Sequence, residues 1–212
     1  VDQETIEALQ YHMRSIGVIL RFNEEVVSVE PVAEQQVIVR LKSGKEIAAS
    51  TVLYSVGRTG ASATLNLAAI GLTADDRGRL SVNEHYQTSV PHIYAAGDII
   101  GFPALASTSM QQGRHAACHA FGVPYHTQSD LMPYGIYSIP EISMVGRNED
   151  DLTKNGVPYA VGIARYREIA RGQIIGDEIG MLKLLFHNKT RQLLGVHAIG
   201  DGATELIHIG QT

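Results

Sequence analysis

The residues 88–98, Thr-Ser-Val-Pro-His-Ile-Tyr-Ala-Ala-Gly-Asp, form a short apolar run that stops on a glycine followed by a carboxylate. At the carboxyl end of a strand, glycine lets a ligand come close to the backbone, and a carboxylate can accept hydrogen bonds from sugar-type hydroxyls. Gly97 and Asp98 are therefore candidate binding residues. The same spacing also fits a second reading, in which Asp98 caps the helix that follows. His115 and His119 lie four apart on a predicted helix, a spacing that can bring two imidazoles to one metal, but no glutamate or third ligand accompanies them, and no metal site is expected there. Cys118 lies between them, the one cysteine of the chain. Without a partner for a redox pair it reads as a packed thiol and not a nucleophile. Gly200-Asp201-Gly202 reads as a hairpin exit with a helix cap.

These residues need elements to hold them. Asp2 can cap a helix in which Ile6, Leu9, Met13 and Ile16 recur at three-to-four-residue spacing, with Gly17 placed to end it. Runs at 18–22, 26–29, 37–41 and 46–48 are β-rich, and the turn 42–45 joins the last two. The run 51–56 is apolar without alternation, as expected of a parallel strand buried on both faces, and it stops at Gly57-Arg58-Thr59-Gly60, where a chain crossing is predicted. Residues 75–78 read as a turn, 92–96 as a second short buried strand, and 105–121 as a helix closed by Gly122 and Pro124. Beyond Tyr134 the texture changes. Strands are predicted at 136–139 and 160–166, a helix at 148–155, an antiparallel pair 181–187 and 193–199 joined by the turn 188–191, and a helix near Gly202.

The 212 residues carry a net charge of -5, with 44% hydrophobic and 18% charged residues. That is ordinary for a globular protein. No apolar run approaches the length of a membrane span, so no membrane partner is expected. With a pI near 6.0 and no Lys/Arg cluster, the chain has no electrostatic footprint for nucleic acid. The single cysteine and the lack of a charged-then-apolar leader agree with a cytoplasmic setting.

The segment from Pro91 to Asp98, followed by Ala104-Leu105-Ala106-Ser107, resembles the FAD-contacting signature of the pyridine nucleotide-disulfide oxidoreductase family. The similarity extends along the whole chain, including residues 135–143 (Gly-Ile-Tyr-Ser-Ile-Pro-Glu-Ile-Ser) and 205–211 (Glu-Leu-Ile-His-Ile-Gly-Gln). It is strongest to family members that pass hydride between NADPH and NAD+ through a flavin. The resemblance implies an α/β plus α+β fold: remnants of a two-dinucleotide-binding arrangement for FAD and NAD(P), followed by an α+β dimerisation domain. The implied divisions are 1–57 for the end of the NAD(P)-binding domain, 58–124 for the end of the FAD-binding domain, and 125–212 for an interface domain incomplete at its C-terminus. It also implies a homodimer.

By the same resemblance Asp98 binds the FAD ribityl chain, and the backbone of Leu105, Ala106 and Ser107 meets the pyrimidine edge of the flavin. Gly57 lies near bound nicotinamide nucleotide, Arg58 braces the domain junction, and Val26 turns its backbone to the adenine end of NAD. Read from the residues alone, Arg58 fits a structural salt bridge somewhat better than a direct ligand contact, and the Val26 side chain fits a core. The family's two G-x-G-x-x-G phosphate cradles are absent from these residues, so the chain by itself is expected to be inactive and to hold little FAD. Two alternatives accompany hydride transfer: a disulfide reductase of the same family resembling dihydrolipoamide dehydrogenase, and a noncatalytic dimerisation fragment.

Overall fold

The computed structural model describes residues 1–125 and 131–212. The expected boundary at 125 is followed directly by 126–130, outside the described residues. The chain divides into two compact units, Val1–Glu25 with Leu131–Thr212, and Val26–Asp130.

The first unit is built on a five-stranded antiparallel sheet. Its strands are β4 (Tyr134–Ile136), β5 (Glu141–Gly146), β6 (Tyr159–Arg165), β7 (Met181–His187) and β8 (Leu193–Gly200), in the order β4-β5-β8-β7-β6. Because side chains alternate along a strand, each face of the sheet collects its own core. One face brings Ile142, Met181 and Ile199 against Ala8 and Leu9 of helix α1 (Gln3–Ser15). The other brings Val145 and Val196 against Ile207 of helix α5 (Ala203–Gln211), with Leu182 and Leu184 beside them.

Helix α1 starts where Asp2 accepts the Glu4 amide at 3.2 Å. It ends at Gly17, whose φ of +92° is the left-handed conformation that closes a helix most cheaply in glycine. His12 and Arg14 in its last turn suit the negative end of the helix dipole. Helix α3 (Glu149–Lys154) is capped by the Asn148 side chain, which accepts the Asp151 amide at 2.8 Å. A short helix α4 (Ala170–Ile175) lies between β6 and β7.

The second unit opens on an antiparallel meander of β1 (Val26–Ala33), β2 (Gln36–Leu41) and β3 (Glu46–Ala49). The 42–45 turn closes through the Gly44 amide to the Leu41 carbonyl and the Leu41 amide to the Lys45 carbonyl, both 2.9 Å. Only β2 contributes fully buried residues to the meander, Val39 and Leu41. Beyond it the chain is mostly irregular until helix α2 (Ala106–Ala120).

Three expected strands do not form. Residues 51–56 are extended coil, with Leu53 88% exposed. A parallel strand takes its hydrogen bonds from neighbours on both sides, and no described strand lies beside this run. Residues 18–22 are likewise coil. The 92–96 run makes a single antiparallel bridge, Tyr94 with Gln87, instead of a ladder. The side chain of Val26, expected in a core, is 51% exposed, on β1 at the edge of the three-stranded sheet.

Candidate functional site

The Gly97-Asp98 pair and the start of α2 are brought together by one buried hydrogen bond. The Gly97 amide donates to Gln112 Oε1 at 2.7 Å. Thr108, Gln112 and Ala116 are the buried stripe of α2, spaced one turn apart so that they face the loop below. Gly97 has φ +81°, and a β-carbon there would stand 3.0 Å from Ser109 Oγ and 3.2 Å from Ser109 Cβ. Glycine therefore answers two demands at this point, a left-handed backbone and close passage under the helix. Gln112 escaped the sequence reading; the four-residue spacing of 108, 112 and 116 is the signal that could have shown it.

Asp98 sits in the first turn of the 3-10 segment Gly97–Ile100, and its carbonyl accepts the Gly101 amide at 3.1 Å. Its carboxylate is exposed and has no hydrogen-bond partner among the described residues. The capping reading fails here, since the N-cap of α2 is Leu105 and no side chain caps that end. Ala106 and Ser107 are exposed and Leu105 is half-buried. The Leu105 carbonyl is occupied by the amide and hydroxyl of Ser109, both at 2.8 Å. What faces outward is an uncapped helix start, worth roughly +0.5 of an elementary charge. An unpaired carboxylate and a positive helix end within one short segment suit a ligand that carries both hydroxyl donors and an electron-rich edge.

The crossing predicted at 57–60 is made by Gly60 and not by the pair ahead of it. Gly60 donates its amide to the Arg77 carbonyl at 2.7 Å, and a β-carbon on Gly60 would lie 2.1 Å from the Gly78 oxygen. No side chain fits between the two backbones. Asp75 shapes the turn at 75–78, accepting the Arg77 and Arg79 amides at 2.9 and 2.8 Å. Gly57 has φ +108° with open space around it, so glycine is needed there for its backbone angle alone. Arg58 is exposed and pairs with no carboxylate among the described residues.

In the first unit, Lys183 of β7 is fully buried, with Nζ 2.8 Å from Asp2 Oδ1 and 3.0 Å from Glu4 Oε2, and in contact with Glu149. Burial alone would push its pKa down, but the hydrogen bonds to Asp2, Glu149 and Glu4 outweigh that and raise it. The three carboxylates are close enough together to hold a cation, and the Lys183 ammonium fills that role. Beside it His197 is buried, with Nε2 3.0 Å from the Arg147 carbonyl and Nδ1 without a hydrogen-bond partner among the described residues. Burial lowers the His197 pKa. The carbonyl contact requires the tautomer protonated at Nε2.

A model of the pyridine nucleotide-disulphide oxidoreductases matches residues 1–113, more than half of the chain. The chain belongs to the pyridine nucleotide-disulphide oxidoreductase family. The dimerisation-domain model of this family matches residues 132–212. The soluble pyridine nucleotide transhydrogenase of Mycobacterium bovis (strain BCG / Pasteur 1173P2) is 55% identical over 210 residues, covering 99% of this chain and 45% of the relative. The protein of the same name from Chromohalobacter salexigens is 50% identical over 211 residues, again 45% of its length. This family member thus spans about half the length of the curated relatives it matches. Among solved structures, LpdA from Mycobacterium tuberculosis aligns with a TM-score of 0.88 at 26% identity, over 98% of this chain and 45% of that one. The HOCl-induced flavoprotein disulfide reductase RclA from Escherichia coli aligns with the same TM-score at 25% identity, over 99% and 48%. The α/β-plus-α+β fold class is that of the family, and the antiparallel unit around β4 to β8 falls in the dimerisation match. Among the described residues no helix is long and apolar enough to cross a membrane.

Proposed function

We propose that the chain is part of a flavoenzyme that carries hydride from NADPH to NAD+, a soluble pyridine nucleotide transhydrogenase acting as a homodimer in the cytoplasm. The observation that carries this reading is the exposed, unpaired Asp98 carboxylate beside the uncapped start of α2, with Gly97 locked beneath the helix by Gln112. These residues fit FAD. The carboxylate offers acceptors to ribityl hydroxyls, and the free amides of Ala106 and Ser107 offer donors to the pyrimidine edge, with Leu105 setting the helix start. The positive end of α2 favours electron density on that edge. Gly57 and Val26 contribute backbone toward the nicotinamide nucleotide, and Arg58 lies at the junction between its domain and the FAD domain. When bound, FAD supplies the two-electron redox chemistry. The chain's own residues bind and orient, and none of them is assigned as acid or base.

The division that goes with this reading is 1–57 for the NAD(P) part, 58–124 for the FAD part and 125–212 for the dimer interface. The curated relatives at 55% and 50% identity support the transhydrogenase reading over a disulfide reductase, the class of the structural relative at 25% identity.

The test is made on the complete protein. Asp98→Ala removes a charge-assisted acceptor, and the loss of about 1.5–3 kcal/mol should weaken flavin retention roughly 10- to 100-fold while secondary structure is unchanged. The unmodified protein should reduce an NAD+ analogue with NADPH in the absence of any disulfide. Strict dependence on lipoamide or glutathione disulfide would overturn hydride transfer between nucleotides, and full flavin retention in Asp98→Ala would overturn the site.

A further inference from the structure

The turn that carries Asp98 is braced from outside by a side chain that the flavin reading does not use. Gly101 closes that turn by donating its amide to the Asp98 carbonyl at 3.1 Å, with φ at +93°. A β-carbon on Gly101 would stand 3.0 Å from Cδ and 3.3 Å from Nη1 of Arg79, so the Arg79 side chain lies directly against the Gly101 backbone. The next residue adds a second contact, the Leu80 amide donating to the Ile99 carbonyl at 2.8 Å. Residues 79–80 therefore run beside 99–101 and meet the Asp98 turn at two points.

Arg79 is itself held. Its Nε and Nη2 both reach Asp75 Oδ2 at 2.8 Å. The other carboxylate oxygen of Asp75 accepts the Arg77 and Arg79 amides. The backbone closes the same loop, with the Asp75 amide on the Arg79 carbonyl at 2.9 Å and the Gly78 amide on the Asp75 carbonyl at 2.8 Å. Charge-assisted bonds from two nitrogens of one guanidinium fix its plane, and Arg79 so presents a set surface to Gly101. On its other side the loop accepts the Gly60 amide through the Arg77 carbonyl. It is anchored at both ends.

We propose that Asp75 and Arg79 are positioning residues for flavin binding, a clasp that fixes the 97–101 turn and with it the place from which the Asp98 carboxylate meets the ribityl hydroxyls. The proposal rests on the flavin reading of Asp98. A carboxylate ordered before its ligand arrives loses less entropy on binding. Loosening the clasp therefore weakens FAD through Asp98 and not through a contact of its own.

The experiment is FAD titration of the complete protein prepared as apoprotein, followed by flavin fluorescence, with the visible circular dichroism of the bound flavin as a second reading. Arg79→Ala should raise the Kd for FAD roughly threefold or more and alter the visible band, with the far-ultraviolet spectrum unchanged. Asp75→Asn keeps an acceptor for the two loop amides and loosens only the grip on Arg79, and should act in the same direction. Asp76→Ala, which removes an exposed carboxylate from the same loop, should bind FAD as the unmodified protein does. In an Asp98→Ala background, adding Arg79→Ala should change the Kd by less than about twofold, since the two residues act as one unit. Unaltered FAD affinity in Arg79→Ala and Asp75→Asn, or an Arg79→Ala effect that persists in full without Asp98, overturns the clasp while leaving Asp98 as a ligand. Unaltered affinity in Asp98→Ala alone overturns the flavin reading and the clasp with it.

Discussion

Replacing Lys183 by methionine removes the ammonium that three carboxylates share while keeping most of the side-chain volume. Lys183 has 0% and Asp2 1% of its side chain exposed, against 39% for Glu4 and 35% for Glu149. An ammonium has three hydrogens, and three carboxylates take them. Removing one partner of a buried ion pair costs about 3–5 kcal/mol, because a charge is left without compensation. Glu4 and Glu149 can turn toward water, so the lower end applies. A loss of about 3 kcal/mol lowers the melting temperature by roughly 6–12 °C at about 2–4 °C per kcal/mol for a protein of roughly 150–250 residues.

The pH dependence separates this cause from lost packing. Burial opposes ionisation of Asp2, yet the Lys183 hydrogen bond together with the nearby His197 and Lys183 charges holds its pKa below the ordinary value. Its contribution is therefore present above about pH 3.9 and is lost as pH falls through the depressed folded-state value. In Lys183→Met the ammonium is gone, so burial and the like charges of Glu4 and Glu149 outweigh the remaining Thr5 amide and His197 and lift the Asp2 pKa above that of the unfolded chain. The variant then takes up protons on folding and gains stability as pH falls from 7 toward 5, so the gap to the unmodified protein narrows. Thermal and urea unfolding at both pH values measure this, and Asp2→Asn in the Lys183→Met background should recover part of the loss. A loss under about 1 kcal/mol, within the range of ordinary substitutions, or a gap that does not change with pH, would refute the reasoning.

Gln112→Leu leaves the buried Gly97 amide without an acceptor and should cost about 1–3 kcal/mol in urea unfolding. Hydrogen exchange at Gly97 should quicken, whereas Gln112→Glu, which keeps the acceptor oxygen, should restore protection; equal protection in all three proteins counts against the hydrogen bond. Because burial lowers the His197 pKa, the unfolded chain binds the proton first as pH drops below about 6.5, and stability falls with it. His197→Gln should flatten the urea midpoint between about pH 7 and pH 5. An unaltered slope in that variant assigns the pH dependence to other groups.

Several elements were legible because their signals are local. Asp2 and Asn148 cap α1 and α3, and Gly17 closes α1. The two β-rich runs and the turn between them predicted a hairpin, and β7 and β8 pair from Met181 with Ile199 through Phe186 with Leu193. Each of these depends on a dihedral preference or a hydrogen bond spanning a few residues. The run 51–56 misled because an apolar stretch reports readiness to be buried, and only neighbouring strands can make it a strand.

The Gly97-Asp98 turn and the helix from Ala106 were legible in the sequence, since a glycine and an acid that stop an apolar run are local signals. Tertiary structure alone decided that Gln112 holds Gly97, that Gly60 passes against Gly78, and that His85 meets His115 from 30 residues away. The same is true of Lys183. In sequence it is one polar residue in a strand of alternating exposure, yet the fold joins it to Asp2 across 181 residues. The amino-acid order determines which groups can cap, turn or bind. The energy of a buried charge depends on what surrounds it, and those surroundings exist only once distant segments have packed together.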